Sequence, residues 1–349
     1  MNALVTHDLG GPAQPLLKVS SLIKHFPVKG PFGKKTVVRA VDNVSFTVQK
    51  GETLGVVGES GCGKSTTARV LMQLITQDRG ELIFDAAEVN SHQLSLRDFR
   101  RQVQMVFQDS YSSLNPRLTI EQSIAFGPRV HGLSPAVALA RARELLAKVG
   151  LEPVRFAGRY PHELSGGQRQ RVNIARALAL EPRLVILDEA VSALDKSVEA
   201  QVLNLLLDLK QSLDLTYVFI SHDLHVVRYV SDRILVMYLG EVVEIGPAET
   251  LFTRAAHPYT RALLSSMPSM DPAHRTLASP LPGDPPSPID PPSGCRFHTR
   301  CPHAEAACRS NEPLLFPIGE HHEAACLMNI PGGGHSCSPR DDQSMRHTQ

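Results

Sequence analysis

The length, composition and charge of the chain limit the classes of protein to which it can belong. With 349 residues, it is long enough for one large domain, or for two unequal ones, with a substantial core. Its 36 lysine and arginine residues nearly balance its 35 aspartate and glutamate residues, which argues against a general nucleic-acid-binding protein. No stretch approaches the roughly 18 to 20 consecutive apolar residues of a membrane span, and MNALVTHDLGG lacks the basic leader and apolar core of a secretion signal. We therefore expect a cytosolic protein.

Strand and helix patterns alternate along the first half of the chain. Residues 16–57 alternate between apolar and polar side chains like antiparallel strands, and they end in TLGVVG, a candidate buried strand. A helical pattern follows from about residue 64 to 75, and QVQMVFQ at 102–108 predicts another strand. From about residue 119 to 180 the pattern is helical again.

The second half of the chain continues this alternation. RLVILDEA at 183–190 and LTYVFISHD at 215–223 are short apolar runs bounded by charge, as expected for strands that are covered on both faces. Between them, residues 197–213 have the apolar spacing of an amphipathic helix. Strands that alternate with helices predict an α/β fold with a parallel core.

The composition changes after about residue 270. PLPGDPPSPIDPPSG at 280–294 predicts a proline-rich linker with little regular structure, and a tail rich in cysteine and histidine follows it. We therefore divide the chain into a main domain, residues 1–270, and a C-terminal region, residues 271–349.

The stretch GESGCGKSTT at 58–67 is rich in glycine and contains a single cation, Lys64. Gly58, Gly63, Lys64 and Ser65 satisfy the pattern G-x-x-x-x-G-K-[ST], in which backbone amides and the following helix hold phosphate oxygens. In this arrangement the lysine meets the β- and γ-phosphates and the serine ligates Mg²⁺. A plain glycine turn is the alternative, and a serine-hydrolase elbow is excluded because Cys62 occupies the place of its second glycine.

Four further polar residues follow predicted strands. Asp188 and Glu189 end LVILDE, where the first suits the Mg²⁺ shell and the second could polarise an attacking water. His222 ends FISH and could contact the γ-phosphate, and Gln108 ends MVFQ and could bind Mg²⁺ or water. Each has a simpler alternative: a solvated loop entry for the acids, a structural role for the histidine and an exposed amide for the glutamine.

The stretch LSGGQRQR at 164–171 indicates to which class of nucleotide-binding protein the chain is similar. Together with the glycine loop, LVILDE, SALD and FISHD in this order, it resembles the ATP-binding cassette (ABC) ATPases of ABC transporters over about residues 16–265. The resemblance implies an α/β P-loop NTPase cassette with a parallel β core, an antiparallel β subdomain and a helical subdomain at about residues 109–180. A cysteine-rich C-terminal extension would follow the cassette.

The resemblance assigns roles to individual residues. The Walker A loop is residues 58–66, Asp188 is the Walker B aspartate, Glu189 the catalytic glutamate, His222 the switch histidine and Gln108 the Q-loop residue that also faces Mg²⁺. The residues expected to bind ATP are Phe26 (against adenine), Gly58, Ser60, Gly61, Cys62, Gly63, Lys64, Ser65, Thr66, Gln108 and Asp188, with Ser165, Gly166, Gly167, Gln168 and the D-loop Asp195 serving the ATP of a partner cassette. One departure is Ala190, where the family commonly has proline.

The family also implies partners. Two cassettes close head to tail around two ATP molecules, so this chain, with one motif set, needs a second ABC ATPase subunit. The pore must be formed by two membrane permease subunits, and residues 109–130 lie where the family couples to them.

Three further stretches resemble the oligopeptide and dipeptide importer ATPases, especially their F-type subunit: QDSYSSLNPR, HPYTRALL and the tail from residue 280. This implies a related D-type partner, an extracytoplasmic peptide-binding protein and a peripheral position on the cytoplasmic face of the inner membrane. Nickel or glutathione import stays an alternative within the subfamily. A different class, a soluble cassette ATPase acting on ribosomes or DNA, is the other alternative.

The tail carries Cys295, Cys301, Cys308 and Cys326. A cytosolic location disfavours disulfides, and structural zinc sites usually contain C-x-x-C pairs, which are absent here. Four thiolates also suit a [4Fe–4S] cluster, and related importer ATPases carry this cysteine set as cluster ligands. Three alternatives remain open for these four cysteines: an iron–sulfur cluster, a zinc ion or no metal. Cys337 is expected to lie in a disordered end.

Overall fold

The computed structural model describes residues 9–11, 13–29, 35–267 and 283–339. The expectation that no secretion signal is present concerns residues 1–11, and residues 1–8 of that segment lie outside the described residues. The first three residues of the predicted proline-rich linker, 280–282, also lie outside them.

The secondary structure follows the predicted alternation of strands and helices. The strands are β1 (Leu17–Lys29), β2 (Lys35–Val48), β3 (Thr53–Val57), β4 (Arg79–Phe84), β5 (Ala87–Glu88), β6 (Val103–Val106), β7 (Leu184–Asp188), β8 (Thr216–Ile220), β9 (Arg233–Tyr238), β10 (Glu241–Pro247), β11 (Phe316–Gly319) and β12 (His322–Ala324). The α-helices are α1 (Lys64–Leu71), α2 (Leu96–Gln102), α3 (Ile120–Val130), α4 (Pro135–Lys148), α5 (Pro153–Phe156), α6 (Gly166–Leu178), α7 (Lys196–Ser212), α8 (Leu224–Val230), α9 (Ala248–Arg254), α10 (Pro258–Ser265) and α11 (Ala306–Ser310).

The first sheet is antiparallel, with strand order β2-β1-β4-β5. The apolar residues of β1 that alternate with polar ones, such as Leu17 and Val19, are buried, and they share a core with Val41, Val44 and Phe84 of the neighbouring strands. The predicted antiparallel strands at the start of the chain are therefore confirmed.

The second sheet contains the parallel core, in the order β11-β12-β10-β9-β3-β8-β7-β6. Its five neighbouring strands β9, β3, β8, β7 and β6 run parallel, and every residue of β3, β7 and β8 is buried. Parallel strands place their carboxyl ends at one edge of the sheet, which is where ligands bind in α/β proteins. Four of the predicted motifs come directly after β3, β6, β7 and β8, so they meet at this edge.

The segment predicted to be helical forms α3 to α6. Capping boxes start two of these helices, at Thr119 with Gln122 and at Ser165 with Gln168, which satisfies free amides at both helix starts. Apolar residues on the inner faces, including Ile124, Ala142 and Leu146, join the core of the parallel sheet. None of the helices that the structure describes combines the length and the apolar character that a membrane crossing requires.

The C-terminal region contains two strands that the sequence analysis did not predict. Strands β11 and β12 extend the main sheet, because β12 pairs with β10 at Glu244–Ala324 and Ile245–Glu323. The pairing is reinforced by a buried ion pair in which the Nε2 atom of His322 lies 2.8 Å from the Oε1 atom of Glu244. The expectation of little regular structure concerned the linker, and its described residues, 283–294, contain no helix or strand. The division of the chain at residue 270 and the bounds of the helical subdomain, 109–180, stay predictions.

The segment around Cys337 is also held in place. The ring of His335 lies 2.8 Å from the backbone oxygen of His303, and the hydroxyl of Ser338 donates to the backbone oxygen of Leu327 at 2.7 Å. Cys337 itself is exposed. The expected disordered end therefore does not include residues 335–338, whereas residues 340–349 lie outside the described part of the chain.

Candidate active site

The glycine-rich loop between β3 and α1 follows a path that only glycine tolerates at two positions. Gly58 and Gly63 have φ angles of 150° and 109°, which L side chains rarely adopt. A Cβ atom would lie 2.2 Å from the backbone oxygen of Met237 at Gly58, and 2.1 Å from that of Ala40 at Gly63. The loop is therefore pressed against β9 and β2, which explains the small residues in GESGCGKS.

Lys64 lies at the start of α1 with 6% of its surface exposed. Its Nζ atom donates to the backbone oxygens of Gly58 at 2.7 Å and Glu59 at 3.0 Å. No side chain caps the first turn of α1, so its amides keep the anion-binding character of a helix start. The loop thus presents a cation and backbone donors to one region.

Ser65 and Asp188 form the second part of the site. The hydroxyl of Ser65 donates to the Oδ1 atom of Asp188 at 3.1 Å, which joins α1 to the end of β7. Asp188 is 4% exposed, and this burial, with the negative charge of Glu189, raises the pKa of its carboxyl. A hydroxyl and a buried carboxylate are the oxygen ligands that Mg²⁺ prefers, so these residues fit the ion that the sequence predicts.

Glu189 lies at the centre of a third group. The Nε2 atom of Gln108 donates to its Oε2 atom at 2.7 Å, and the Nδ1 atom of His222 lies 3.4 Å from its Oε1 atom. Glu189 has a φ angle of 48°, an uncommon conformation for a residue other than glycine. The residue lies directly after β7, where its carboxylate meets Gln108 and His222.

These groups surround one cleft of about 670 Å³. It is lined by Phe26, Val38, Ala40, Ser60, Gly61, Gly63, Lys64, Ser65, Thr66, Gln108, Glu189 and His222. Ten of these twelve are predicted site residues, and the two that the sequence analysis missed, Val38 and Ala40, resemble ordinary strand residues in the sequence. The apolar side chains of Phe26, Val38 and Ala40 can form a wall for a ring system.

Other predicted residues lie beside or away from this cleft. Gly58, Cys62 and Asp188 are not among its lining residues, and the thiol of Cys62 lies 3.8 Å from the Nζ atom of Lys64. Burial raises the pKa of the Cys62 thiol. We therefore expect Cys62 to contribute its backbone rather than its side chain to the loop.

The predicted residues that serve a partner do not line the cleft. Ser165 caps α6: its hydroxyl accepts from the amide of Gln168 at 3.4 Å, and the Gln168 side chain accepts from the amide of Ser165 at 3.0 Å. Gly166 and Gly167 form the first turn, and a Cβ atom on Gly167 would lie 2.4 Å from a methyl carbon of Val198. Asp195 precedes α7 and is exposed.

The four tail cysteines lie within electrostatic range of one another. Burial, with the neighbouring thiols of Cys301, Cys308 and Cys326, raises the pKa of Cys295 to about 12, and burial with the thiols of Cys301 and Cys308 raises that of Cys326 to about 11. The amide of Cys295 donates to the backbone oxygen of Cys308 at 2.9 Å. Within the described residues, however, no three histidine, cysteine or acidic side chains form a group that could hold a single metal ion.

Two protein-family models match the chain. The model described as ABC transporter matches residues 41–192, and the model described as Oligopeptide/dipeptide transporter, C-terminal region, matches residues 243–308. The first match spans the glycine loop, the α6 start and the acids at the end of β7. The second spans most of β10 and three of the four tail cysteines.

Curated relatives are similar over nearly the whole chain. A probable peptide ABC transporter ATP-binding protein of Sinorhizobium fredii is 52% identical and covers 93% of each chain. A putative peptide import ATP-binding protein of Brucella ovis is 49% identical over 90% of this chain and 98% of its own. The oligopeptide transport ATP-binding protein AppF of Bacillus subtilis is 46% identical over 90% of this chain and 97% of its own.

Solved structures share the cassette fold. CbiO1 from Clostridium perfringens, described as part of an ABC transporter complex, has a TM-score of 0.58 and 26% identity, and the match covers 69% of this chain and 91% of that one. An ATP-binding cassette described as a dimer in a post-hydrolysis state with ADP and phosphate has a TM-score of 0.58 and 30% identity, with 66% of this chain and 98% of that one covered. The chain therefore belongs to the ATP-binding proteins of the peptide ABC transporter family.

Proposed function

We propose that this chain hydrolyses ATP to drive the uptake of di- or oligopeptides through separate membrane permease subunits. The observation that carries the proposal is the convergence of the cationic loop, the Ser65–Asp188 pair and Glu189 on one cleft in a chain whose relatives are named for peptide transport. Those names and the match to a peptide-transporter C-terminal region favour peptides over nickel or glutathione. They also favour transport over a cassette that acts on ribosomes or DNA.

Each side chain of the cleft has a separate role in the proposed hydrolysis of ATP. Lys64 exchanges its loop carbonyl contacts for the β- and γ-phosphates of ATP, and the adenine ring packs against Phe26. Ser65, Asp188 and Gln108 would hold Mg²⁺, which would neutralise charge on the phosphates. The Glu189 carboxylate orients and polarises the attacking water, while His222 and Gln108 hold that carboxylate in position.

A second cassette completes the site. In the proposed dimer, Ser165, Gly166 and Gly167 at the start of α6 face the γ-phosphate bound by the partner, with Gln168 and Asp195 at the interface. This arrangement accounts for the position of these residues outside the cleft of their own chain. The proposed partner is a related D-type chain, and the dimer in the similar solved cassette supports pairing in general.

The proposed contact with the permease subunits is the segment after Gln108. Exposed apolar side chains are frequent there: Tyr111, Phe126 and Val130 each have more than half of their surface exposed. Exposed apolar patches commonly mark protein interfaces. The assembly would sit on the cytoplasmic face of the inner membrane, with an extracytoplasmic peptide-binding protein choosing the cargo.

We further propose that Cys295, Cys301, Cys308 and Cys326 hold a [4Fe–4S] cluster. The support for the cluster is that the thiols of Cys301, Cys308 and Cys326 lie near that of Cys295, whose pKa they help to raise. Four cysteine thiolates are the usual ligand set of such a cluster. Iron, sulfide and zinc analysis after anaerobic purification tests this, with C308S expected to lose iron and C337S to retain it. Stoichiometric zinc without iron would refute the cluster.

The transport proposal is tested by uptake of labelled peptides into cells with and without this chain. We expect peptide uptake to require the chain and to be abolished by E189Q. Parallel assays with labelled nickel and glutathione identify the cargo. Uptake of either one in place of peptides would overturn the peptide assignment while leaving the ATPase assignment intact.

A further inference from the structure

Glu59, the second residue of the phosphate loop, is held from the C-terminal side of the chain at two points. Its backbone N–H donates to the hydroxyl of Tyr259 at 2.9 Å. Its carboxylate accepts two hydrogen bonds from the guanidinium of Arg300, at 2.7 Å and 3.1 Å. Both partners lie in the region beyond β10, far from the loop in sequence.

The contact with Arg300 has the geometry of a strong, directional ion pair. Two parallel N–H donors meet two carboxylate oxygens, and the arginine is 7% exposed. Hydrogen bonding to Glu59 raises the pKa of Arg300 above its ordinary value, so this side chain stays charged. Two hydrogen bonds in fixed geometry restrict the movement of both side chains.

The segment that carries Arg300 is itself fixed against the parallel sheet. The ring of Phe297 lies 5.4 Å from the rings of both Tyr238 and Tyr259, and Arg296 pairs with Glu241 at 2.7 Å. Arg300 also lies 3.4 Å from the hydroxyl of Tyr238 on β9. Arg300 therefore contacts the loop from a segment that is itself packed against the parallel sheet.

The position of Glu59 in turn sets the position of the catalytic cation. The backbone oxygen of Glu59 accepts from the Nζ atom of Lys64 at 3.0 Å and from the amide of Cys62 at 3.2 Å. A shift of Glu59 would therefore change both the curvature of the loop and the resting position of Lys64.

We propose that Arg300 is a positioning residue for ATP binding: with Tyr259, it holds the phosphate loop in its binding geometry through Glu59. The inference rests on the proposed function of the cleft as an ATP site. On this inference the C-terminal region contributes to ATP binding, because a side chain beyond residue 270 fixes the conformation of the phosphate-binding loop.

The test compares two arginines of the same segment in the full chain. Arg296 matches Arg300 in burial, at 6% exposed, and in having carboxylate partners, but those partners are Asp42 and Glu241 rather than the loop. Equilibrium binding of a fluorescent ATP analogue, steady-state hydrolysis and thermal unfolding are measured for R300M, R300K, R296M and E59Q.

We expect R300M and E59Q to raise the Kd and KM for ATP about tenfold with kcat changed less than about threefold, because loop geometry rather than the reacting groups is altered. R300K, which keeps the charge but not the paired donors, should recover part of this loss. R296M should lower the unfolding temperature without a comparable change in Kd.

Equal changes in Kd for R300M and R296M at equal loss of stability would overturn the inference, because a general structural role would then explain both. If R300M does not fold, R300K and E59Q decide: unchanged ATP affinity in both refutes positioning. Failure of the unaltered chain to bind ATP would instead refute the proposed function itself, and the inference with it.

Discussion

The Nδ1 atom of His222 lies 3.4 Å from the Oε1 atom of Glu189, although the two residues follow different strands. The strands are β7 and β8, which are parallel neighbours with Asp188 opposite Ile220. Glu189 is fixed further by its amide, which donates to the backbone oxygen of Ile220 at 2.9 Å. The sheet therefore brings a carboxylate and an imidazole together at the edge where the phosphate loop also lies.

Replacing Glu189 by glutamine should stop turnover without preventing ATP binding. The amide keeps the size of the side chain and one acceptor oxygen but cannot accept a proton from water, so we expect kcat to fall by about 100-fold or more. ATP affinity and steady-state hydrolysis, measured on the same preparation, check this. E144Q, a change of an exposed carboxylate in α4, is the control. Near-normal hydrolysis in E189Q would exclude Glu189 from the chemical step.

Replacing Asp188 by asparagine should separate magnesium binding from folding. The buried carboxylate is destabilised by burial, which raises its pKa, so the neutral amide should leave the unfolding temperature unchanged or increase it. The concentration of Mg²⁺ needed for half-maximal hydrolysis should rise at least about tenfold, because a charged ligand is lost. A magnesium titration of the ATPase rate, paired with thermal unfolding, checks both parts. An unchanged magnesium requirement would contradict the assignment.

The part of the site that is local in sequence was predictable. The glycine loop can be identified because Gly58, Gly63 and Lys64 have a fixed spacing within one turn. Asp188 and Glu189 can be identified because they end a buried strand. Val38 and Ala40 were not predicted, because their place beside the cleft depends on the close approach of Gly63 to the backbone of Ala40. No spacing within β2 carries that information.

The C-terminal region was predicted least well, for a related reason. Strands β11 and β12 are only four and three residues long and follow a proline-rich stretch, so their apolar pattern is too short to indicate a sheet. Their pairing depends on the free edge of β10 and on Glu244, which are distant in sequence. The contact between Glu59 and Arg300 joins positions separated by 241 residues, which no local pattern can indicate.

Two glycines of the phosphate loop offer a matched test of its packing. A Cβ atom at Gly63 would lie 2.1 Å from the backbone oxygen of Ala40 at a φ of 109°, whereas at Gly61, with a φ of 80°, it would meet no atom within 4 Å. G61A should therefore cost only the backbone strain of about 1–2 kcal/mol. G63A should destabilise the protein more and abolish ATP binding. Denaturant unfolding and nucleotide binding check this, and equal effects of the two changes would contradict the close approach.

His257 should make the fold sensitive to acid. Its ring is 1% exposed and accepts from the amide of Tyr259 at 3.0 Å, and burial lowers its pKa to about 4. Because the unfolded chain binds a proton near pH 6.5 and the folded chain does not, stability is complete above that pH and falls by about 3 kcal/mol as the pH drops from 6.5 to 4.

The measurement is the free energy of unfolding in denaturant at half-unit steps of pH. H257Q removes the titrating ring while its side-chain oxygen can still accept from the amide of Tyr259. Glu244 also titrates in acid. Burial raises the pKa of its carboxyl, but the hydrogen bonds from His322 and from the amide of Ala256 lower that pKa below its ordinary value overall. Protonation of Glu244 therefore affects stability only at lower pH. The slope between pH 6.5 and 5 should therefore be steeper in the unaltered chain than in H257Q, and identical slopes would show that His257 is not the group responsible.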